Sequence, residues 1–300
     1  MNRFIQGFAL ACQFLLALWL GVTFTWWLGI ALVIAFLFAL IGLQFYLSRQ
    51  MAGSLPSQTL HLSTLQVWRA SCQETINCFR TFYFNQIFRV NTRWRDPLAT
   101  RESANSKKPP ILFLHGFFCN RGLWIDFTDE LIDQGHWCEG VSMEPAFGSI
   151  NEYPKAIDQA IDKLLAKSGA KQVVLVGHSM GGLAARSYLR EFGSSKIAKV
   201  ITLGTPHQGT WLARLGHGAN TQQMAISSQW LAELAEHEAQ ANTGHLLTTV
   251  STWYDNIVFP QGGQTIPGAK HISVTGMGHI SMVFSQEIKD LVRLEVNALH

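Results

Sequence analysis

Gly177-His178-Ser179-Met180-Gly181-Gly182 follows the apolar run Val173–Val176 and opens an amphipathic stretch, the pattern of a buried strand that turns sharply into a helix. In such a turn the apex residue sits on a strained backbone, and small residues two positions to either side, here Gly177 and Gly181, keep the chain from colliding with itself. The helix that follows points free N–H groups and the positive end of its dipole at the apex, where they favour developing negative charge. The apex residue is Ser179. Its hydroxyl is a poor nucleophile until an imidazole removes the proton and a carboxylate holds that imidazole in the right tautomer.

Candidates for both partners lie downstream, in the chain order serine, acid, histidine that suits a serine on this kind of elbow. Asp255 falls just past an apparent strand in Ser251-Thr252-Trp253-Tyr254-Asp255-Asn256, and His279 occupies the glycine-rich turn Thr275-Gly276-Met277-Gly278-His279 before the last helix. His207, His217, His237, His245 and His271 compete for the base, with Glu238 and Asp290 as alternative acids. His271 opens a strand, His207 comes too early, and His178 is expected to point away from its neighbour Ser179. A tetrahedral oxyanion needs two preorganised donors. The backbone N–H of Met180 is expected to be one, and that of Phe117, after Leu112-Phe113-Leu114-His115-Gly116, the other.

Positioning these loops requires strands that end beside one another. From Ile111 onward, short apolar runs alternate with amphipathic stretches, which predicts strand–helix units and a mostly parallel sheet, an α/β fold. Strands are expected at Ile111–Leu114, Trp137–Ser142, Val173–Val176, Val200–Leu203, Thr248–Thr252 and His271–Val274. Helices are expected at Gly122–Gln134, Glu152–Ala166, Gly181–Phe192 and Gln286–Ala298. The region from Thr210 to Gly244 breaks this alternation and reads as a helical excursion above the sheet.

The N-terminus has a different character. Between Arg3 and Arg49 there is no charged residue. One continuous helix there would be roughly 65–70 Å long, about twice the hydrocarbon thickness of a bilayer. Two membrane-spanning helices, Phe4–Leu20 and Trp27–Leu47, fit better, with a break near Gly21 to Trp27; a cleaved signal peptide is the alternative. Arg3 and Arg49 flank the outer ends, which places both on the cytoplasmic side of the membrane and the rest of the chain with them.

Three parts are therefore expected: a helical hairpin anchor at 1–50, a connector at 51–108, and a catalytic domain at 109–300. In the connector, Arg80, Arg89, Arg93, Arg95 and Arg101 interleave with Phe79, Phe82, Tyr83, Phe84, Phe88 and Trp94. That mixture suits either an anionic bilayer surface or a helix packed on the catalytic domain with a solvated basic face. Cys12, Cys72, Cys78, Cys119 and Cys138 have no metal-ligand spacing and read as ordinary thiols. A net charge of +3 gives no nucleic-acid footprint.

Together, Leu114-His115-Gly116-Phe117, Glu144-Pro145-Ala146-Phe147-Gly148-Ser149-Ile150, Gly177–Leu183, Thr202–Thr210 with its Gly204-Thr205-Pro206-His207, Asp255 in its loop and Gly278-His279 resemble bacterial lipases and lipase-like esterases of the α/β-hydrolase superfamily. The resemblance runs from about Pro110 to the end of the chain. It implies Ser179, Asp255 and His279 as the catalytic triad, Phe117 and Met180 as the oxyanion hole, Gly204–Thr210 as the pocket floor, and a mobile lid within about 210–247. The resemblance implies a serine carboxylic-ester hydrolase acting through an acyl-enzyme; the N-terminal hairpin, in which the chain departs from secreted lipases, adds a membrane anchor and with it the expectation of a lipid-like ester. An acyltransferase or thioesterase with the same triad, and a catalytically silent membrane scaffold, are the alternatives. The expected partners are the ester substrate and membrane lipids, and the expected location is a bacterial inner membrane. No cofactor is implied; some relatives bind structural calcium, for which no ligands can be matched here.

Overall fold

The computed structural model describes residues 26–51, 63–97 and 108–299, together with residue 8 and residues 11–13, 15–16 and 18–19. The first expected spanning helix and the break after it lie largely outside the described residues; those that are described between 8 and 19 are helical. One long apolar helix is fully in view, α1 (Trp26–Gln50). At 1.5 Å per residue it measures about 37 Å, enough to cross the roughly 30 Å of a hydrocarbon core.

The segment expected to be a connector is a helix packed on the body of the protein. Helix α2 (Thr64–Phe79) begins at a reciprocal cap, in which the Ser63 hydroxyl accepts from the Gln66 N–H and the Gln66 side chain accepts from the Ser63 N–H. It continues through a π-helical turn, Arg80–Asn85, and ends in Gln86–Phe88. Asp126 anchors this end by accepting from Asn85 Nδ2 at 2.6 Å and Arg89 Nη1 at 2.7 Å, with Arg80 Nη2 at 3.1 Å. The arginines are thus partly committed to an intramolecular acid, while Trp68, Ile76, Phe79, Phe84 and Phe88 remain exposed.

The sheet has six parallel strands in the order β2-β1-β3-β4-β5-β6: β1 (Ile111–Leu114), β2 (Cys138–Val141), β3 (Val173–His178), β4 (Ile197–Leu203), β5 (Leu247–Thr252) and β6 (Lys270–Val274). A parallel sheet needs crossovers that cover both faces, so the central strands β1 and β3 are buried along their whole length, whereas the edge strands β2 and β6 are only partly covered. Leu112, Leu114, Val173 and Leu175 face one layer, with α4 (Pro154–Ser168) and α5 (Met180–Phe192), whereas Ile111, Phe113, Val174 and Val176 face the other, with Trp124 and the C-terminal helix. The expected helix Gly122–Gln134 is two short pieces, a 3₁₀ turn at Arg121–Trp124 and α3 (Asp129–Asp133). The last two helices are α8 (Ser281–Phe284) and α9 (Gln286–Asn297).

The excursion after β4 is helical, as its sequence suggests, with a 3₁₀ turn at Trp211–Leu215, α6 (Ala219–Met224) and α7 (Gln229–Ala241). It is tied down on α5. Glu238 accepts from Arg186 Nε at 2.6 Å and Nη2 at 2.7 Å, and Arg186 Nη1 donates to the His207 carbonyl at 3.2 Å. The two side chains are only 1% and 6% exposed. Glu238 is therefore committed to Arg186, and the other alternative acid, Asp290, pairs with Arg293. Removing one partner strands a buried charge, so Glu238→Ala is expected to lower the free energy of unfolding by about 3–5 kcal/mol. Denaturant unfolding checks this; a loss below about 1 kcal/mol would mean that the pair is hydrated in solution.

Candidate active site

All the loops singled out from the sequence leave the carboxyl ends of strands, where ligands gather in open parallel sheets. Ser179 follows β3 with φ 56° and ψ −126°, a strained conformation for a residue with a side chain. The glycines that permit it are closely enclosed. A Cβ on Gly177 would meet the Gly181 carbonyl carbon at 2.6 Å, and one on Gly181 would overlap the Leu114 carbonyl oxygen. The elbow is fixed from behind by the Ser179 N–H, which donates to the Leu203 carbonyl at 2.8 Å, and by Thr205 Oγ1, which donates to the Ser179 carbonyl at 2.9 Å.

His279 and Asp255 meet as expected, with Nδ1 2.9 Å from Oδ2. The other carboxylate oxygen accepts from the Ile257 and Val258 N–H groups at 2.9 and 2.7 Å, so the acid cannot rotate away. With Nδ1–H directed at the carboxylate, Nε2 carries the basic lone pair. Burial by itself lowers the His279 pKa, but the Asp255 charge and hydrogen bond, aided by Glu74, outweigh it and leave the pKa raised above 6.5. Gly204, at φ 56°, lies under the ring, where a Cβ would be 3.1 Å from Nδ1.

Ser179, His279 and Phe117 line one cavity. The loop after β1 passes so close to the serine that a Cβ on Gly116 would stand 3.0 Å from Ser179 Cβ. His115 stiffens this loop: its Nδ1–H donates to the Gly116 carbonyl at 2.9 Å and its Nε2 accepts from the Met143 N–H at 2.9 Å. Burial pushes its pKa down to about 4, so it stays neutral as both bonds require. Met180 opens α5, and its side chain is buried in the core.

Three expectations need correction. His178 does not turn away from the site: its ring centroid lies 4.5 Å from that of His279, and its Nε2–H donates to the His279 carbonyl at 3.0 Å. Burial and the adjoining His279 keep its pKa well below 6.5. The Gly204–Thr210 segment braces the elbow and makes room for His279, and none of its residues lines the cavity. Nor does any residue of 210–247, because the Arg186–Glu238 pair holds α7 against α5. Of the competing histidines, His207 accepts or donates at Thr202 Oγ1 over 2.9 Å beside Arg186, and His271 bonds Thr249 Oγ1 at 2.8 Å.

The cavity, about 700 Å³, is instead walled by the N-terminal part of the chain. Glu74 of α2 is fully buried and accepts from the Ile280 N–H at 2.8 Å, the Ser281 N–H at 2.9 Å and Ser281 Oγ at 2.7 Å, immediately after His279. Asn77 adds a bond to Ser281 Oγ at 2.9 Å. Asn256 accepts from the His279 N–H at 3.0 Å and donates to Gln44 of α1 at 2.9 Å. The one available signal for Glu74 is that it is the only acidic residue before Asp96. Of the thiols, Cys119 is pushed up to about 12 by burial, and Cys78 and Cys138 are raised for the same reason, so none of the three is an activated nucleophile.

This sheet and elbow define the class, since residues 109–256 match the family model of the alpha/beta hydrolase fold, and the fold is that of a lipase-like α/β-hydrolase. The chain is 32% identical over 122 residues to triacylglycerol lipases of Pseudarthrobacter phenanthrenivorans and Burkholderia plantarii, an overlap covering 36% of this chain and 38% and 34% of theirs. It thus spans little more than a third of the length of these curated relatives. The mature form of Bacillus licheniformis lipase BlEst2 superposes with a TM-score of 0.54 at 17% identity, covering 65% of this chain and 93% of that one. For Aspergillus fumigatus lipase B the TM-score is 0.51 at 15% identity, over 68% and 59% of the two chains.

Proposed function

We propose that the protein is a membrane-anchored serine hydrolase that cleaves carboxylic esters of lipid type. The reading is carried by one observation: a serine on a strained elbow and a histidine held by a buried carboxylate share the head of an apolar cavity. His279 Nε2 takes the proton of Ser179 as Oγ attacks the ester carbonyl. The Phe117 and Met180 N–H groups stabilise the tetrahedral oxyanion. His279 then protonates the departing alcohol, and a water that it activates releases the acid from Ser179. The names of the relatives, triacylglycerol lipases among them, agree with an acyl ester as substrate.

Anchoring is supported by the apolar, largely exposed surface of α1, including Trp27, Ile30, Phe36 and Leu43, which calls for a lipid phase around it. Cleavage as a signal peptide would strip Ile41, Phe45 and Gln44 from their contacts with Tyr254 and Asn256. Arg3 and Arg49 favour the cytoplasmic side of a bacterial inner membrane for the catalytic unit. Protease accessibility in spheroplasts tests this: cleavage of the catalytic unit from outside intact spheroplasts would reverse the orientation.

Labelling by a fluorophosphonate separates an enzyme from a silent scaffold, and product analysis with alcohol or thiol acceptors separates hydrolysis from acyl transfer. Asp255→Asn is expected to lower kcat by about 10⁴-fold through the wrong imidazole tautomer. His279 works as a base only when neutral, and Asp255 holds its pKa up, so the residual acid limb of kcat/KM should move to lower pH in this variant. An unmoved limb with near wild-type kcat would remove Asp255 from the mechanism.

A further inference from the structure

We infer that α1 forms one wall of the acyl-binding site, so that the substrate is the long-chain acyl ester of a membrane lipid, its chain drawn from the bilayer along that helix. The identity of the reacting group rests on the ester-hydrolase reading; the placement of the chain rests on the cavity. From the Ser179 end the cavity runs between Ile34, Leu37 and Ile41 of α1 and Ile76, Phe79 and Phe82 of the α2 segment. Positions 34, 37, 41 and 44 are spaced 3-4-3, which puts them on one face of a helix over about 15 Å of its length. A volume of about 700 Å³ lies well inside the roughly 300–1,000 Å³ of ordinary ligand sites.

The polar side chains along this wall already have hydrogen-bond partners within the protein. Gln44 receives Asn256, the Tyr83 hydroxyl donates to Gln13, Thr75 Oγ1 donates to the Ser71 carbonyl, and Glu74 is occupied by the loop after His279. A polar ligand body would find few unsatisfied partners here, whereas a hydrocarbon chain requires none. Ile34 and Leu40 are 56% and 43% exposed although they line the cavity, so the site is open along α1. Phe36 and Leu43 continue the apolar surface outside it. A chain can therefore pass from lipid to the serine without crossing water.

The test uses the full chain in lipid nanodiscs with cis-parinaric acid, a fluorescent C18 fatty acid, as probe. Leu37→Trp, which fills the cavity, is expected to weaken probe binding about 10–100-fold and to lower the ratio of long-chain to short-chain nitrophenyl ester turnover by a similar factor. Phe36→Trp, on the exposed side of the same helix, should change neither. Wild-type probe affinity in a folded Leu37→Trp protein would overturn the inference. Should that variant not fold, a diazirine-bearing fatty acid cross-linked to the wild type decides: adducts on residues 34–41 support it, and adducts confined to 219–241 overturn it. If Ser179→Ala leaves ester turnover intact, the hydrolase reading fails while the binding result stands on its own.

Discussion

Ser179→Ala is expected to reduce kcat for a nitrophenyl acyl ester by about 10⁴-fold or more and to abolish fluorophosphonate labelling, with the fold unchanged. The magnitude follows from the way such a constellation acts as a unit: without the nucleophile, the base and acid have nothing to activate, and only oxyanion stabilisation and binding persist. His279→Ala should fall to a similar level, and the double variant should lose little more than either single one. The local chain tolerates the serine change, because alanine keeps the Cβ and the backbone donor to Leu203. A purified Ser179→Ala protein that retains wild-type turnover, with a matching thermal transition, would show that the chemistry resides elsewhere.

Glu74→Ala is expected to lower kcat by about 10²-fold with a smaller change in KM. Glu74 touches no reacting atom; it is a positioning residue that fixes residues 280 and 281 through three hydrogen bonds and so sets where the His279 ring stands. A displacement of about 1 Å at a base is enough for a loss of that size. Burial is the main influence on the Glu74 carboxyl and raises its pKa, while the Ser281 and Ile280 donors oppose it. Its charge also helps to hold the His279 pKa up. Glu74→Gln keeps an acceptor oxygen in place and should recover much of the rate, yet it should still move the acid limb of kcat/KM to lower pH. A merely structural role would change the melting temperature and leave that limb alone. A folded Glu74→Ala protein with wild-type kcat and an unshifted limb would remove Glu74 from the site.

The two substitutions probe different parts of the chain that the sequence presents very differently. The elbow is local: Val173–Val176, Gly177, Ser179 and Gly181 fall within nine residues, and the two glycines have a steric reason to be what they are. The strands are nearly as plain, since double covering makes the central runs at β1 and β3 apolar, and the observed bounds differ from the expected ones by at most three residues. Asp255 and His279 were legible because each lies on the loop that follows a strand and stands in the required order. Glu74 was not, because its contacts are more than 200 residues away and its own helix reads as an ordinary mixed segment.

Which segments line the cavity was hidden in the sequence for the same reason. Residues 210–247 are amphipathic in a way that fits a helix above a pocket, but a buried Arg186–Glu238 pair fastens them to α5 instead. Residues 63–88 belong to the segment that suited either a bilayer surface or a helix packed on the catalytic domain; they pack on the domain, wall the cavity and grip the loop after His279.

The sequence alone determined the sheet, the elbow and the order of the candidate triad, because these depend on residues close together in the chain or on periodicity along a strand. Only the tertiary structure decided what encloses the serine. In a helix where nearly every residue is apolar, such as α1, composition gives no preferred face, so which stripe meets the cavity and which meets lipid is settled by the side chains packed against it.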